Sequence, residues 1–189
     1  MHQLSSIVLT FASVVGCLLA VDLITGFIHW AEDTWTAPGA SKLLDRWVVL
    51  DNIEHHRRPG TIREGDYWGT NRVCLALAFA VGAALVLLGV QAWQAYLIVV
   101  LASQSNQVHL WAHSANPPRL VAWLQRYGIL QSPAHHGEHH KRPYASRFCT
   151  MTNCLNPVLD EIGFWRGLEW LIERCGATMW RATPARQGF

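Results

Sequence analysis

An all-α, polytopic integral membrane fold is what this 189-residue sequence predicts, and three observations carry the prediction. Hydrophobic residues make up 51% of the chain and charged residues only 15%, a balance that suits a surface facing lipid. Three apolar runs, Leu4 to Val21, Val73 to Val90 and Trp93 to about Trp111, are each close to the length that crosses a bilayer. All fifteen Lys and Arg lie either between the first and second runs (Lys42, Arg46, Arg57, Arg58, Arg63, Arg72) or after the third, from Arg119 onward. The positive-inside rule then places both basic segments on the cytoplasmic side, with the N-terminus outside.

The elements follow in chain order. The first span is expected over about 4–29, because Met1 to Ile28 contains no Lys or Arg and the apolar run continues into Asp22 and His29. A secretory signal peptide is the competing reading, and the missing basic n-region and cleavage site argue against it. Trp30 to Arg72, rich in charged and aromatic residues, reads as a functional cap. Further spans are expected at about 73–90 and 93–113, the last turning polar in its second half. Leu120 to Leu130 is too short to cross, so the count is three spans, or four if this piece enters the membrane. Ser132-Pro133 and Asn156-Pro157 read as N-caps followed by proline, starting interfacial helices at about 133–141 and 157–175, the second closed by Gly176. Trp30, Trp93 and Trp111 at span ends fit an aromatic belt. The whole chain, 1–189, reads as a single domain.

The net charge of +2 and the absence of a dense basic run exclude nucleic acid as a partner. Five cysteines, an odd number with two inside spans, make no disulfide framework and read as inert thiols.

Nine of the ten histidines fall into four clusters: His29, His55-His56, His109-x-x-x-His113 and His135-His136-x-x-His139-His140. Each abuts or follows an apolar segment, and the charge bias puts all nine on one side. One zinc site is closed by about four ligands, so nine imidazoles call for two metals. Helical spacing supports ligation. Asp22, Gly26, His29 and Asp33 share one stripe of the first helix, as do Asn106, His109 and His113 on the third. The four histidines of 135–140 span an arc of about 140°. Metal-bound imidazoles usually donate their second ring nitrogen to a carboxylate or carbonyl. Asp22, Glu32, Asp33, Glu54, Asn106 and Glu138 are the residues expected to support the ligands in this way. Imidazole alone does not select a metal. Carboxylate-poor, histidine-rich sites beside a bilayer fit a pair of irons that uses O2 against an unactivated C–H bond of a lipid, whereas soluble di-iron bundles rely on glutamates.

Gly26-Phe27-Ile28-His29-Trp30 with Asp33-Thr34-Trp35, Glu54-His55-His56-x-x-Pro59, Asn106-Gln107-x-His109-x-Trp111-x-His113 and Pro133-x-His135-His136-x-x-His139-His140 resemble the plasmanylethanolamine desaturase family. The resemblance continues through Phe148-Cys149-x-x-Thr152, Leu155-Asn156 and Ile162-Gly163-Phe164-Trp165, and covers about Leu23 to Trp180. It implies a membrane oxidoreductase that uses O2 and electrons from an external donor, cytochrome b5-like or ferredoxin-like, to turn the 1-alkyl ether of a plasmanyl phospholipid into a vinyl ether. A chloroplast relative in the same superfamily instead puts a trans double bond into an acyl chain of phosphatidylglycerol. The expected site is therefore two irons on His29, His55, His56, His109, His113, His135, His136, His139 and His140, with no catalytic side chain beyond the metal centre. The substrate is an ether or acyl phospholipid. The active site faces the cytoplasm, from the inner membrane of a bacterium or the endoplasmic reticulum of a eukaryote. An acyl-chain desaturase or hydroxylase is the alternative enzyme. A histidine-rich metal carrier or sensor is the non-enzyme alternative, and the absence of histidine from mid-span positions disfavours it.

Overall fold

The first helix has no proline before Pro38 to stop it, and it runs unbroken as α1, His2–Trp35. Its 34 residues are about 51 Å long at the α-helical rise, against about 30 Å for a bilayer's hydrocarbon core. The helix is therefore longer at both ends than the expected span of 4–29. The computed structural model describes residues 2–63 and 65–180, and every regular element among them is helical. The basic residues Arg181 and Arg186, part of the C-terminal charge set, lie outside the described residues.

The stretch expected as a cap folds as α2 (Lys42–Leu44), a π-helical turn (Asp45–Val49), α3 (Leu50–Arg57) and a 3-10 turn (Pro59–Arg63). α4 (Tyr67–Leu87) begins six residues ahead of the expected Val73 because Asp66 caps it, accepting from the Gly69 N–H at 2.6 Å. It ends at Leu88, just before the positive φ of Gly89. Among the described residues, α1 and α4 are the two helices long and apolar enough to cross a membrane. Their outward faces are apolar, with Leu4, Phe11, Phe79 and Leu87 all more than two-thirds exposed, a surface that suits lipid.

The third span departs from expectation. It is not one helix but two, α5 (Trp93–Ser103) and α6 (Ser105–Ala112), parted at Gln104. Ser103 Oγ donates back to Val100 O at 2.7 Å and accepts from Gln104 Nε2 at 3.0 Å, the kind of side-chain bond that competes with the helical ladder. α5 packs against both α1 and α4. α7 (Arg119–Arg126) buries Val121 and Gln125 and exposes Leu120 and Trp123. At eight residues, about 12 Å, it is a surface helix and no span.

α8 (Pro133–His139) starts as expected, with Ser132 Oγ accepting from the His135 N–H at 3.3 Å. The helix expected over 157–175 is two, α9 (Leu155–Glu161) and α10 (Phe164–Arg174), turned at Gly163 with φ 66°. Asn156 does not cap it. Its side chain is fully buried and used elsewhere.

Between α8 and α9 runs an irregular buried strap, Phe148 to Thr152. Asp22 on α1 accepts from the backbone N–H groups of Met151 (2.8 Å) and Thr152 (3.0 Å) and from the Thr152 hydroxyl. Asn156 brackets the Cys149 backbone, accepting from its N–H at 2.9 Å and donating to its carbonyl at 2.8 Å. Gln131 Nε2 donates to the same carbonyl at 2.6 Å. At Gly26 a β-carbon would sit 2.7 Å from Cys149 Sγ and 3.2 Å from its Cα, so only glycine lets the strap lie this close to α1. Trp30, Phe148, Cys149 and Trp165 form one core here, and Val21, Val108 and Met151 a second. Trp30 is accordingly buried, its indole N–H on Glu169 at 3.1 Å, and is no belt residue.

Candidate metal centre

Helical spacing sorts the histidines. Neighbours in sequence point 100° apart and residues four apart share a face, so the pairs 29/33, 109/113 and 136/140 each go to one place and the neighbours 55/56 and 139/140 divide. His109 with His113 on α6, His136 with His140 on α8, and His55 on α3 converge with one ligand nitrogen each within 4.8 Å of all the others. His29 and Asp33 on α1, His56 on α3 and His139 on α8 form a second group by the same measure. The doubled histidines 55-56 and 139-140 each straddle the two groups, which explains why the sequence doubles them.

In the five-histidine group the Nε2 atoms approach closely: His109 to His136 at 2.8 Å, His113 to His109 at 3.3 Å and His140 to His136 at 3.0 Å. In the second group Asp33 Oδ1 lies 2.9 Å from His56 Nε2, and Oδ2 lies 3.2 Å from His139 Nε2 and 3.6 Å from His29 Nε2. Two of these imidazoles are tied from behind. His29 Nδ1 is 3.0 Å from the Phe148 carbonyl and His139 Nδ1 is 2.8 Å from the Ser146 carbonyl. Each Nδ1 therefore carries the proton and turns a bare Nε2 inward.

Burial, then the neighbouring His140, holds His55 well below the usual histidine range. Burial, then His109, does the same to His136, and burial, then His139, brings His140 down to about 2. These three imidazoles are therefore neutral, the form that binds metal. His29 Nε2, His139 Nε2, Asp33 Oδ2 and both ring nitrogens of His55 are buried without a hydrogen-bond partner. Leaving so many polar atoms unsatisfied is destabilising. Inward lone pairs with no protein donor to meet them are what two cations would satisfy, so the residues fit a pair of metals.

The structure brings together eight of the nine expected histidine ligands. His135 lies outside both groups: it is half-buried, with Nε2 3.1 Å from Asn156 Nδ2. Burial, then Arg147, lowers it to about 4. Asp33, expected behind the ligands, stands among them. Asp22 serves the strap, seven residues and about 10 Å along α1 from His29. Glu54 pairs with Arg58, and Glu138 with Lys141 at 2.7 Å, both toward solvent. Glu32 and Asn106 line an open cavity, and Asn106 donates to the Thr70 carbonyl at 3.0 Å. Asn52, absent from the residues expected on sequence grounds, donates to Asp33 Oδ1 at 2.8 Å. Its spacing of four from His56 on α3 was the available signal. The strap carbonyls are invisible to motif reading, since every residue carries one.

The cavity has a volume of about 450 Å³ and reaches His29, His55 and His109 from between α1, α3 and α4. Ile28, Val73 and Leu77 give it apolar walls. Its inner end touches both histidine groups, an arrangement that would set an aliphatic chain beside two metals.

Residues 18–183 match the lipid desaturase domain. The chain is 29% identical to mouse plasmanylethanolamine desaturase 1 over 87% of its own length and 65% of that protein's, and 31% identical to plasmanylethanolamine desaturase of Myxococcus xanthus over 87% and 60%. It is 32% identical to the chloroplastic fatty acid desaturase 4 of Arabidopsis thaliana over 84% and 50%. The chain thus spans between half and two-thirds of the length of these relatives. No solved structure matches.

Proposed function

This chain belongs to the lipid desaturase domain family, and on that premise we propose that it is an O2-dependent membrane oxidoreductase that forms a vinyl ether from the 1-alkyl ether of plasmanyl phospholipids. The observation that carries the reading is the division of eight histidines and Asp33 into two ligand groups beside an apolar-walled cavity. Two irons held by these groups would supply activation of O2, which with two electrons from an external donor and two protons takes two hydrogens from adjacent carbons and leaves two waters.

The chain's own residues perform the rest. His55, His109, His113, His136 and His140 would hold one iron, and His29, His56, His139 and Asp33 the other. The Phe148 and Ser146 carbonyls keep His29 and His139 in the binding tautomer, and Asn52 shares Asp33 Oδ1 with His56. Ile28, Val73 and Leu77 exclude water along the alkyl chain, holding the reacting carbons at the inner end of the cavity. Asp22 and Asn156 act at one remove by fixing the strap that supplies the Phe148 carbonyl.

The domain is read as a single unit with α1, α4 and the broken α5–α6 pair crossing the bilayer. α5 and α6 together cover 93–112, about 30 Å, which matches the apolar thickness. The metal centre and basic residues face the cytoplasm, at the inner membrane of a bacterium or the endoplasmic reticulum of a eukaryote. A soluble electron-transfer protein, cytochrome b5-like or ferredoxin-like, would supply electrons there. Cysteine labels at positions 57 and 173 reporting on opposite faces would overturn this topology.

A second reading has support of its own: the Arabidopsis relative is named a fatty acid desaturase at similar identity, which favours an acyl chain as the alternative substrate. A carrier or sensor is disfavoured, because the ligands form one compact site and do not line a path across the membrane. The deciding test is protein expressed in a plasmalogen-free host. Acid-labile vinyl ethers and about two irons per purified chain are expected. New acyl double bonds without vinyl ethers would select the second reading, and stoichiometric zinc with no lipid product would end both.

A further inference from the structure

Away from the histidines, the described lining of the cavity carries the cation Arg72 with the carboxylates of Asp51, Glu32 and Glu54, the last already paired with Arg58. Arg72 on α4 lines it, with its guanidinium carbon 4.8 Å from the centre of the Trp47 ring and one nitrogen 3.3 Å from Asp51 Oδ2. All three residues border the same opening. Next in sequence to Arg72, and one turn further along α4, Val73 and Leu77 begin the apolar wall that leads inward to His29 and His109. A guanidinium at the mouth, ligand histidines in the same cavity and an apolar wall for the rest of the chain suit a phospholipid whose phosphate is separated from the reacting carbons, the first two of the 1-alkyl chain, by only the glycerol and the ether oxygen.

We propose that Arg72 binds the phosphate of the lipid headgroup, exchanging its ion pair with Asp51 for the phosphodiester while the Trp47 ring holds the guanidinium in place. This rests on the desaturase reading and deepens it, because it makes the site selective for phospholipids over neutral ether lipids. Arginine suits this role because its planar fork can donate two parallel hydrogen bonds to phosphate oxygens while its face stays stacked on an indole. The pair it gives up is a weak one. The Arg72 and Asp51 side chains are 46% and 70% exposed, and surface ion pairs of this kind contribute little. The exchange therefore replaces a weak contact with a charge-assisted bidentate one.

The test uses full-length protein reconstituted with its electron donor and given two substrates, a 1-alkyl-2-acyl glycerophosphoglycerol and the matching uncharged 1-alkyl-2-acyl glycerol. Arg72→Gln should raise KM for the phospholipid by about 10- to 100-fold, the range for a lost charge-assisted bond. It should leave kcat, iron content and KM for the neutral lipid close to wild type, while Arg72→Lys recovers part of the loss. Asp51→Asn, which removes the competing carboxylate, should lower the phospholipid KM. An unchanged phospholipid KM in Arg72→Gln, or an equal rise for both lipids, would overturn the role of Arg72. A wild-type protein that loads iron and binds phospholipid but forms no double bond would instead overturn the desaturase reading, and Arg72→Gln would still be expected to weaken that binding.

Discussion

The two ligand groups lie side by side, yet they are built differently. The group of His29, Asp33, His56 and His139 is tied to the fold from behind: two of its imidazoles rest on backbone carbonyls, and its carboxylate is held by Asn52. In the five-histidine group, His136 Nδ1, His140 Nδ1 and both nitrogens of His55 have no such partner. Those rings are kept in place by packing on one another, with His55 within 4.7 Å, centre to centre, of His109, His113 and His140. One site also carries a negative charge and the other is neutral. A preset geometry and a carboxylate favour tight retention of a cation, whereas a neutral set held by ring contacts favours an adaptable coordination sphere.

The largest effect should come from removing a ligand of either group. His136→Ala and His139→Ala should each abolish product at matched expression, since the proposed O2 chemistry would need both metals held. Metal analysis should show about one iron remaining in each. Retained activity in both would mean that the histidines only support the fold.

Asp33→Asn keeps the shape and removes the charge. Because Asp33 lies among the ligands, a loss of at least the about 10- to 100-fold usual for a partner behind a ligand is expected in activity or metal affinity, with iron lost from the anionic group first. Metal loss confined to the neutral group would reverse the contrast between the two sites.

Chelation should separate the sites without mutation. Titration of the loaded protein should release iron in two phases, the first from the five-histidine group, and His136→Ala should erase the first phase alone. A single phase in the wild type would show that the groups hold metal equally well.

Acid should act on the metal-free protein. His55, His136 and His140 titrate below the usual histidine value of about 6.5 when folded. The unfolded chain therefore takes up protons first as pH falls. Their contribution is intact above about pH 6.5 and is lost progressively below it. Thermal unfolding of the apo protein between pH 7.5 and 5 should show a falling midpoint, and the stability of the loaded protein should fall at least as steeply, because metal-bound imidazoles take up no protons while the unfolded chain does.

The smallest effect belongs to His135. His135→Ala should keep both irons and hold activity within a factor of about two to three, as substitutions outside the buried network do. Loss of an iron would return His135 to the ligand set.

Much of this architecture is legible in the sequence. Apolar length and charge bias mark α1 and α4, and Ser132-Pro133 marks the start of α8. Helical spacing puts Asp22, His29 and Asp33 on one stripe and gathers the last four histidines into one arc. Spacing gives direction around an axis but says little of distance along it, so Asp22 shares the stripe of Asp33 yet serves the strap. Within the arc, His139, His136 and His140 stand at about 40°, 100° and 140° from His135. His135 and His140 are the two edges of the arc, and His135 turns to Asn156 while His140 joins the five-histidine group. Glu54 and Glu138 are close to histidines in sequence and on the solvent side of their helices, where Arg58 and Lys141 take them.

What the sequence determined by itself was therefore the inventory: an apolar helical frame, a one-sided set of imidazoles and a carboxylate stripe, all local consequences of composition and helical period. Tertiary structure decided which imidazoles gather in each group, that Asp33 joins one of them, that backbone carbonyls of irregular segments face two Nδ1 atoms, and that Gln104 and Gly163 interrupt helices. Those outcomes depend on how far one helix slides against another and on backbone groups that every residue carries. Neither the slide nor the carbonyl leaves a mark in the periodicity of any single segment.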